Sequence, residues 1–111
     1  MIVQKVPEID GVRVIQVDPF TDPRGTFIKF EPMLQFKNRL DSVALSSNPK
    51  KGTIRGLHFQ VEPFGEEKLV TCIQGAIFDV ILDLRPNSKT VGKWCSFELS
   101  AKNVLQLYLP K

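Results

Sequence analysis

The segment of residues 76–84 constrains the fold of this chain more than any other part of its sequence. Its alternate positions form two sets, Phe78, Val80, Leu82 and Leu84 in one, and Ile77, Asp79, Ile81 and Asp83 in the other. Side chains in a β-strand alternate between the two faces of the sheet, so this strand carries apolar residues on both faces. A strand of this kind is expected to be covered on both sides, as in a sandwich or barrel.

Other short runs along the chain also favour β-structure. We predict strands over residues 12–17, 26–30, 42–47, 53–60, 68–73, 93–99 and 104–109. Turn sequences such as Asp22-Pro23-Arg24-Gly25 separate them, and this spacing predicts an all-β sandwich or barrel. Gln74-Gly75 predicts a hairpin that joins the strand of residues 68–73 to the strand of residues 76–84. Residues 32–40 instead favour a short helical turn or a covering loop.

Length and charge narrow the function classes. A chain of 111 residues is expected to form one domain, and its 42% apolar and 24% charged residues are ordinary for a soluble protein. The formal net charge of +3 is spread over scattered lysines and arginines, with Lys50-Lys51 as the densest run. Nucleic-acid binding needs a basic patch or stripe, so we expect no nucleic-acid partner. A small basic pocket that binds an anionic ligand remains an alternative interpretation.

The two cysteines, Cys72 and Cys95, lie far apart in the sequence and outside any CxxC motif. This pattern favours two thiols in a reducing compartment over a disulfide framework or a zinc site. The first residues alternate between apolar and polar, unlike a signal peptide, and no apolar run has the length of a membrane span. We therefore expect a cytoplasmic protein without a membrane partner.

His58 is the only histidine in the sequence. A lone histidine cannot form a His-rich metal site, and it is more often a structural residue than a catalytic one. Three strong anion binders, Arg24, Arg55 and Lys68, favour the catalytic interpretation here. An imidazole titrates near neutral pH and can remove a proton, while cations can hold phosphates and stabilise a developing enolate. The sequence thus predicts proton removal α to a carbonyl group.

Residues 51–60, KGTIRGLHFQ, resemble the KGxxRGLHxQ signature of dTDP-4-dehydrorhamnose 3,5-epimerases, and Lys68 follows at the family's distance. The segments 22–27, 75–85, 92–103 and 107–110 extend this resemblance over nearly the whole chain. The resemblance implies a cupin-like jelly roll that forms a homodimer and uses neither a metal nor another cofactor. It also implies one domain over residues 1–111, with N-terminal extension strands in 1–50 and core strands in 51–111.

The family's reaction inverts C5 and then C3 of a 4-keto-6-deoxyhexose carried on a nucleoside diphosphate, as in dTDP-rhamnose and O-antigen biosynthesis. In this chain the resemblance makes His58 the general base and Lys68 the residue that stabilises the enolate. It places Asp83 near the pocket floor, although pairing of Asp83 with Arg85 is an equally open alternative. The positions that bind the sugar nucleotide, its diphosphate above all, are Arg24, Arg55, Phe27, Lys29 and Gln60.

The chain departs from the family pattern at positions that concern the nucleotide. Lys29 stands where the family has an acidic residue that contacts the base, Thr26-Phe27 replaces Phe-Phe, and residues 43–45 replace a Gln-x-Asn element. The family's proton-returning tyrosine, a base-stacking aromatic and the aspartate that orients the histidine follow the strand that ends at Pro110. We therefore expect a C-terminally truncated member.

Two other functions remain open for such a chain. The first is a jelly-roll remnant that binds a sugar nucleotide but has little or no catalytic activity. The second is a basic structural domain without a small-molecule ligand. Isotope exchange at C3 and C5 separates the enzyme from the remnant, and binding of a nucleoside-diphosphate sugar separates the remnant from the structural domain.

Overall fold

The computed structural model describes residues 1–30 and 40–111, and the elements assigned in these two ranges are all strands. They are β1 (Ile2–Lys5), β2 (Arg13–Gln16), β3 (Phe20–Asp22), β4 (Gly25–Phe27), β5 (Lys68–Thr71), β6 (Ala76–Leu82), β7 (Trp94–Ser100) and β8 (Leu105–Leu109). The predicted all-β class is confirmed. The helical turn or loop predicted for residues 32–40 lies, except for Leu40, outside the described residues. No helix among the described residues has the length and apolarity needed to cross a membrane.

Four strands form an antiparallel sheet in the order β1-β2-β8-β5. The last strand of the chain therefore lies between strands from its beginning and its middle. Strands β6 and β7 form a second sheet, paired over seven positions from Ala76↔Ser100 to Leu82↔Trp94. Strands β3 and β4 form a small separate hairpin. This topology places most strand contacts between residues far apart in sequence.

The main core lies between the four-stranded sheet and the β6–β7 sheet. Leu107 of β8 and Leu99 of β7 are fully buried there, with Val70 and Ile81 packed against them. A second apolar cluster covers the opposite face of the four-stranded sheet, where Ile15 is fully buried. The structure is therefore a sandwich with an additional apolar layer, and residues directed between the sheets share a partly dry environment.

Two of the predicted strands are wrong. Residues 42–47 and 53–60 are irregular and exposed. Their composition suits a strand, but a strand also needs a neighbour that accepts and donates its backbone hydrogen bonds. None of the described strands pairs with either segment. The backbone of residues 53–60 consequently runs as an exposed connection towards β5.

The hairpin predicted around Gln74-Gly75 is also wrong. Strand β5 pairs with β8, whereas β6 pairs with β7, so the turn carries the chain from one sheet to the other. A tight turn between two apolar runs has the same sequence pattern in a hairpin and in a corner between packed sheets. The choice is made by distant partners: Leu107 pairs with Val70 and Phe97 with Asp79.

The outer face of the β6–β7 sheet is open. Phe78 and Trp94 are 73% and 63% exposed, so the expected covering of both faces of β6 is not met within the described residues. The chain has an accessible surface of 8830 Å². A folded monomer of 12.6 kDa is expected to expose roughly 6,200 Å². Part of the excess comes from the exposed segment of residues 40–64 and part from the open face that carries Phe78 and Trp94.

Candidate active site

His58 and Asp79 interact electrostatically in the candidate site. His58 lies in the irregular segment before β5, and its side chain is exposed. Asp79 is half-buried in β6, opposite Phe97 and on the same face as Ile81, which packs in the main core. Burial raises the pKa of the Asp79 carboxyl, while the charge of His58 and the backbone N–H of Val80 partly oppose this rise. The site thus joins an accessible imidazole to a carboxylate at the edge of the core.

Lys68 faces the same space from the other sheet. It is the first residue of β5, pairs with Leu109 and is partly buried. It lies on the same strand face as Val70, which packs in the core between the sheets. The inter-sheet space therefore receives Lys68 from one side and Asp79 from the other. Within residues 1–30 and 40–111, no three His, Cys, Asp or Glu side chains are grouped as ligands for a metal ion.

The remaining predicted binding residues lie on two exposed segments. Arg55 and Gln60 flank His58, and the Nε–H of Arg55 donates to Oδ1 of Asn48 at 2.6 Å. A guanidinium has five N–H donors, so this bond leaves capacity for a phosphate oxygen. The second segment is the β3–β4 hairpin with the residues after it, which carries Arg24, Phe27 and Lys29, all exposed.

The β3–β4 hairpin is organised by its own acidic residue. Oδ1 of Asp22 accepts a hydrogen bond from the backbone N–H of Arg24 at 2.9 Å, which closes the turn. The Arg24 guanidinium binds the same carboxylate at 2.6 Å and lowers the pKa of Asp22. Phe27 pairs across the hairpin with Phe20, and both rings are about two-thirds exposed. The described contacts thus join Arg24 to Asp22 rather than to His58.

Asp83 lies at the centre of a buried hydrogen-bond network. Its side chain is fully buried, and its two oxygens accept hydrogen bonds from Arg85 at 2.9 and 3.0 Å. The hydroxyls of Ser88 and Thr90 donate to Oδ2 at 2.6 and 2.7 Å. The Arg85 guanidinium, chief among these donors, lowers the pKa of Asp83 far below its ordinary value. The structure therefore shows the alternative in which Asp83 pairs with Arg85.

This network also holds the N-terminal loop. Nη2 of Arg85 donates to the carbonyl oxygen of Asp10 at 2.7 Å, and the backbone N–H of Asp10 donates to Oγ1 of Thr90 at 2.9 Å. Nζ of Lys89 lies 3.3 Å from Oδ1 of Asp10. We call Asp83, Arg85, Ser88, Thr90 and Asp10 the Asp83 clamp. It ties the loop before β2 to the connection between β6 and β7.

We predicted no role for Asp79 from the sequence, although its position on an apolar strand face could have indicated one. Asp79 stands between Ile77 and Ile81 on one face of an apolar strand. A carboxylate that interrupts an apolar strand face must be partly desolvated, and such groups concentrate at functional sites. Asp83 occupies the same face, but only the structure shows that Arg85, Ser88 and Thr90 satisfy it.

The sequence model of the family described as dTDP-4-dehydrorhamnose 3,5-epimerase matches residues 7–111. The chain is 44% identical over 107 residues to a dTDP-4-dehydrorhamnose 3,5-epimerase from Sinorhizobium fredii, covering 92% of this chain and 55% of that relative. It is 39% identical to one from Escherichia coli, covering 94% of this chain and 59% of the relative. The chain thus spans little more than half the length of these curated relatives.

A solved structure agrees in fold as well as in sequence. The crystal structure of dTDP-4-dehydrorhamnose 3,5-epimerase from Bacillus anthracis, with TDP and PPi bound, matches with a TM-score of 0.89 at 36% identity. The match covers 98% of this chain and 65% of that one. The predicted cupin-like jelly-roll or sandwich architecture is confirmed by this agreement.

Proposed function

The chain belongs to the dTDP-4-dehydrorhamnose 3,5-epimerase family, and on that premise we propose that it acts on a nucleoside-diphosphate 4-keto-6-deoxyhexose, with inversion at C5 and C3. One observation carries the proposal. An exposed imidazole, His58, interacts electrostatically with the half-buried Asp79 beside the space that Lys68 enters from the facing sheet. This set combines a proton acceptor, a carboxylate that stabilises the protonated acceptor, and a cation for a developing oxyanion.

In the proposed first step, His58 removes the proton from the carbon next to the C4 ketone. The C–H electron pair forms the carbon–carbon double bond of an enolate, and the carbonyl electrons move to O4. The Lys68 ammonium stabilises the negative oxygen, because a fixed charge in a partly dry site interacts strongly with the charge that forms. Asp79 stabilises the imidazolium that His58 becomes. Solvent delivers a proton to the opposite face of the enolate, which completes the inversion, and the His58 imidazolium returns its proton to solvent.

We assign the nucleotide-binding role to the two exposed segments. Arg55 and Arg24 suit a diphosphate, since a guanidinium pairs with two oxygens of such a group. The exposed ring of Phe27 suits stacking on a base, and Lys29 and Gln60 supply further polar contacts. The family and the ligands of its solved members support a dTDP-type sugar nucleotide as the substrate class.

We further propose that the protein is a homodimer. The open outer face of the β6–β7 sheet, where Phe78 and Trp94 are 73% and 63% exposed, supports this proposal, because exposed apolar surface of this kind is typical of protein contacts. Light scattering coupled to size exclusion tests this directly, with twice the chain mass expected and the single chain mass contradicting it.

The free cysteines of the protein, Cys72 and Cys95, favour a location in the cytoplasm. Family membership supports a role in deoxysugar biosynthesis of the O-antigen type.

Solvent isotope exchange tests the function. The chain is incubated in D₂O with the dTDP-linked 4-keto-6-deoxyhexose, and deuterium at C3 and C5 is followed separately by NMR. We expect exchange in the wild type and a loss of at least about 1,000-fold in H58A. The exposed Ile54, 89% accessible in the same segment, provides the control variant I54A. Tight sugar-nucleotide binding with no exchange at either carbon would instead establish the non-catalytic binding module.

A further inference from the structure

We propose that Gly56 is a positioning residue for His58: the imidazole occupies the space that any side chain at position 56 would fill. This inference rests on the proposed role of His58 as the base. It concerns what holds the ring, because the segment of residues 53–60 is irregular and exposed and offers no strand pairing to orient a side chain.

The contact between Gly56 and His58 is very close. A Cβ placed on Gly56 would lie 2.8 Å from Nδ1 and 3.6 Å from Cε1 of His58. It would also lie 3.2 Å from the backbone nitrogen of the same residue. A carbon does not approach a ring nitrogen to 2.8 Å without displacing it, so even an alanine at position 56 must move the imidazole. These three atoms all belong to His58, so the closest contacts of such a side chain beyond its neighbours in sequence are with that residue.

Gly56 also adopts a backbone conformation that favours glycine, with φ at +90°. A substitution would therefore combine two effects, backbone strain and displacement of the ring. A substitution at Gly52 distinguishes backbone strain from displacement of the ring. The φ of Gly52 is +83°, and a Cβ placed there would meet nothing within 4 Å. The pair G56A and G52A thus shares the strain, in the same exposed segment, and differs in the contact with His58.

Displacement of the ring has a chemical consequence because His58 interacts with Asp79 across a distance. Coulombic interaction weakens with separation, and proton transfer requires the reacting atoms at close range and in line. A shift of about 1 Å in a catalytic group typically costs on the order of 100-fold in rate. Gly56 therefore acts on the reaction through the position of the imidazole, without contacting the substrate itself.

The test uses two measurements on wild type, G56A and G52A. Because His58 is the only histidine, a long-range ¹H–¹⁵N spectrum shows one imidazole, whose shifts report its surroundings without any substrate. We expect these signals to move in G56A and to stay at the wild-type position in G52A. The exchange rate at C3 and C5 is expected to fall about 100-fold in G56A and to stay within about twofold of wild type in G52A.

Unchanged imidazole signals in G56A would overturn the proposal, as would equal changes in both variants, which would assign the effect to backbone strain. Loss of the folded state in G56A alone would also overturn it, since Gly56 would then serve the fold. The two proposals fail separately. If wild type shows no exchange, the proposed epimerase function fails, while the imidazole spectrum still decides the role of Gly56.

Discussion

Asp79 and Asp83 stand four residues apart on one side of the same strand and its extension, yet their environments are opposite. Asp83 is fully buried and accepts hydrogen bonds from Arg85, Ser88 and Thr90, and these donors lower its pKa. Asp79 is half-buried, and burial raises its pKa against the opposing effects of His58 and Val80. Hydrogen bonds to the charged form make one carboxylate a structural anion, whereas desolvation leaves the other available for chemistry.

The surroundings of the two carboxylates differ in the same way. At the Asp83 clamp, backbone and side chains of the N-terminal loop and of the β6–β7 connection complete each other's hydrogen bonds. Asp79 lies in the middle of β6, where it is subject to the charge of His58, a residue of the exposed segment that also carries Arg55 and Gln60. Such a division is common in enzymes, where a rigid scaffold supports a site whose polar groups are left for the substrate.

After that of H58A, the largest expected effect on exchange is that of Lys68→Ala. We expect the exchange rate at C3 and C5 to fall about 100- to 1,000-fold, because this change removes the cation proposed to stabilise the enolate oxygen. The free energy of unfolding should change little, since Lys68 lies on an edge strand and is only partly buried. Lys93→Ala, at an exposed lysine just before β7, is the control. An exchange rate in K68A equal to that of wild type would show that Lys68 has no role in the reaction.

At the Asp83 clamp, Asp83→Asn is expected to lower the free energy of unfolding by about 3 kcal/mol, because it leaves the Arg85 charge without its buried partner. Arg85 is one-third exposed, which keeps the loss near the lower end for such pairs. Urea denaturation measures it, with Glu98→Gln, at an exposed carboxylate of β7, as the control. A loss no larger than that of E98Q would show that the Asp83 clamp contributes nothing to stability.

The pH dependence of the unfolding free energy provides a further test of the role of Asp83. The folded-state pKa of Asp83 lies well below its ordinary value of 3.8. Its stabilising effect is therefore complete above that value and is lost as the pH falls below 3.8 towards the folded pKa. The difference in unfolding free energy between wild type and D83N should accordingly be constant from about pH 7 to pH 5 and shrink below pH 3.8. A difference that grows on acidification would contradict this account.

The smallest expected effect on stability is that of Arg24→Ala. The Arg24–Asp22 pair is short, at 2.6 Å, but the arginine side chain is 87% exposed. Surface pairs of this kind contribute little to folding, so thermal unfolding of R24A should match wild type. Binding of the sugar nucleotide should weaken about tenfold if Arg24 contacts the diphosphate. Unchanged affinity in a calorimetric titration would remove Arg24 from the site.

Much of the strand content could be predicted from the sequence, because β2, β5, β6, β7 and β8 are marked by local apolar runs and turn residues. The pairing of these strands could not be predicted from the sequence. Whether the turn at Gln74-Gly75 closes a hairpin or crosses between sheets depends on partners such as Leu107, more than thirty residues away. The strand predicted for residues 53–60 is wrong for a related reason, because strand composition does not supply a neighbouring strand to pair with.

The site shows the same limit. His58, Lys68 and Arg55 are proposed from residue type and a family signature, which are properties of the sequence. Asp83 accepts hydrogen bonds from Arg85, Ser88 and Thr90, all within seven residues, and its pairing with Arg85 was one of two alternatives that the sequence left open. The half-burial of Asp79 and the Coulombic effect of His58 on it depend on how distant segments pack, so no role for Asp79 could be predicted.

The most direct test of this division of roles compares Asp79→Asn with Asp83→Asn, with unfolding and isotope exchange measured on the same preparations. Removing the Asp79 charge should leave the free energy of unfolding at pH 7 unchanged or raise it, because a raised folded pKa means that ionisation opposes folding. Its exchange rate should fall by about 10- to 100-fold. D83N should lose stability and keep its exchange rate while folded. Loss of stability in D79N together with loss of exchange in folded D83N would reverse the assignment and contradict the account.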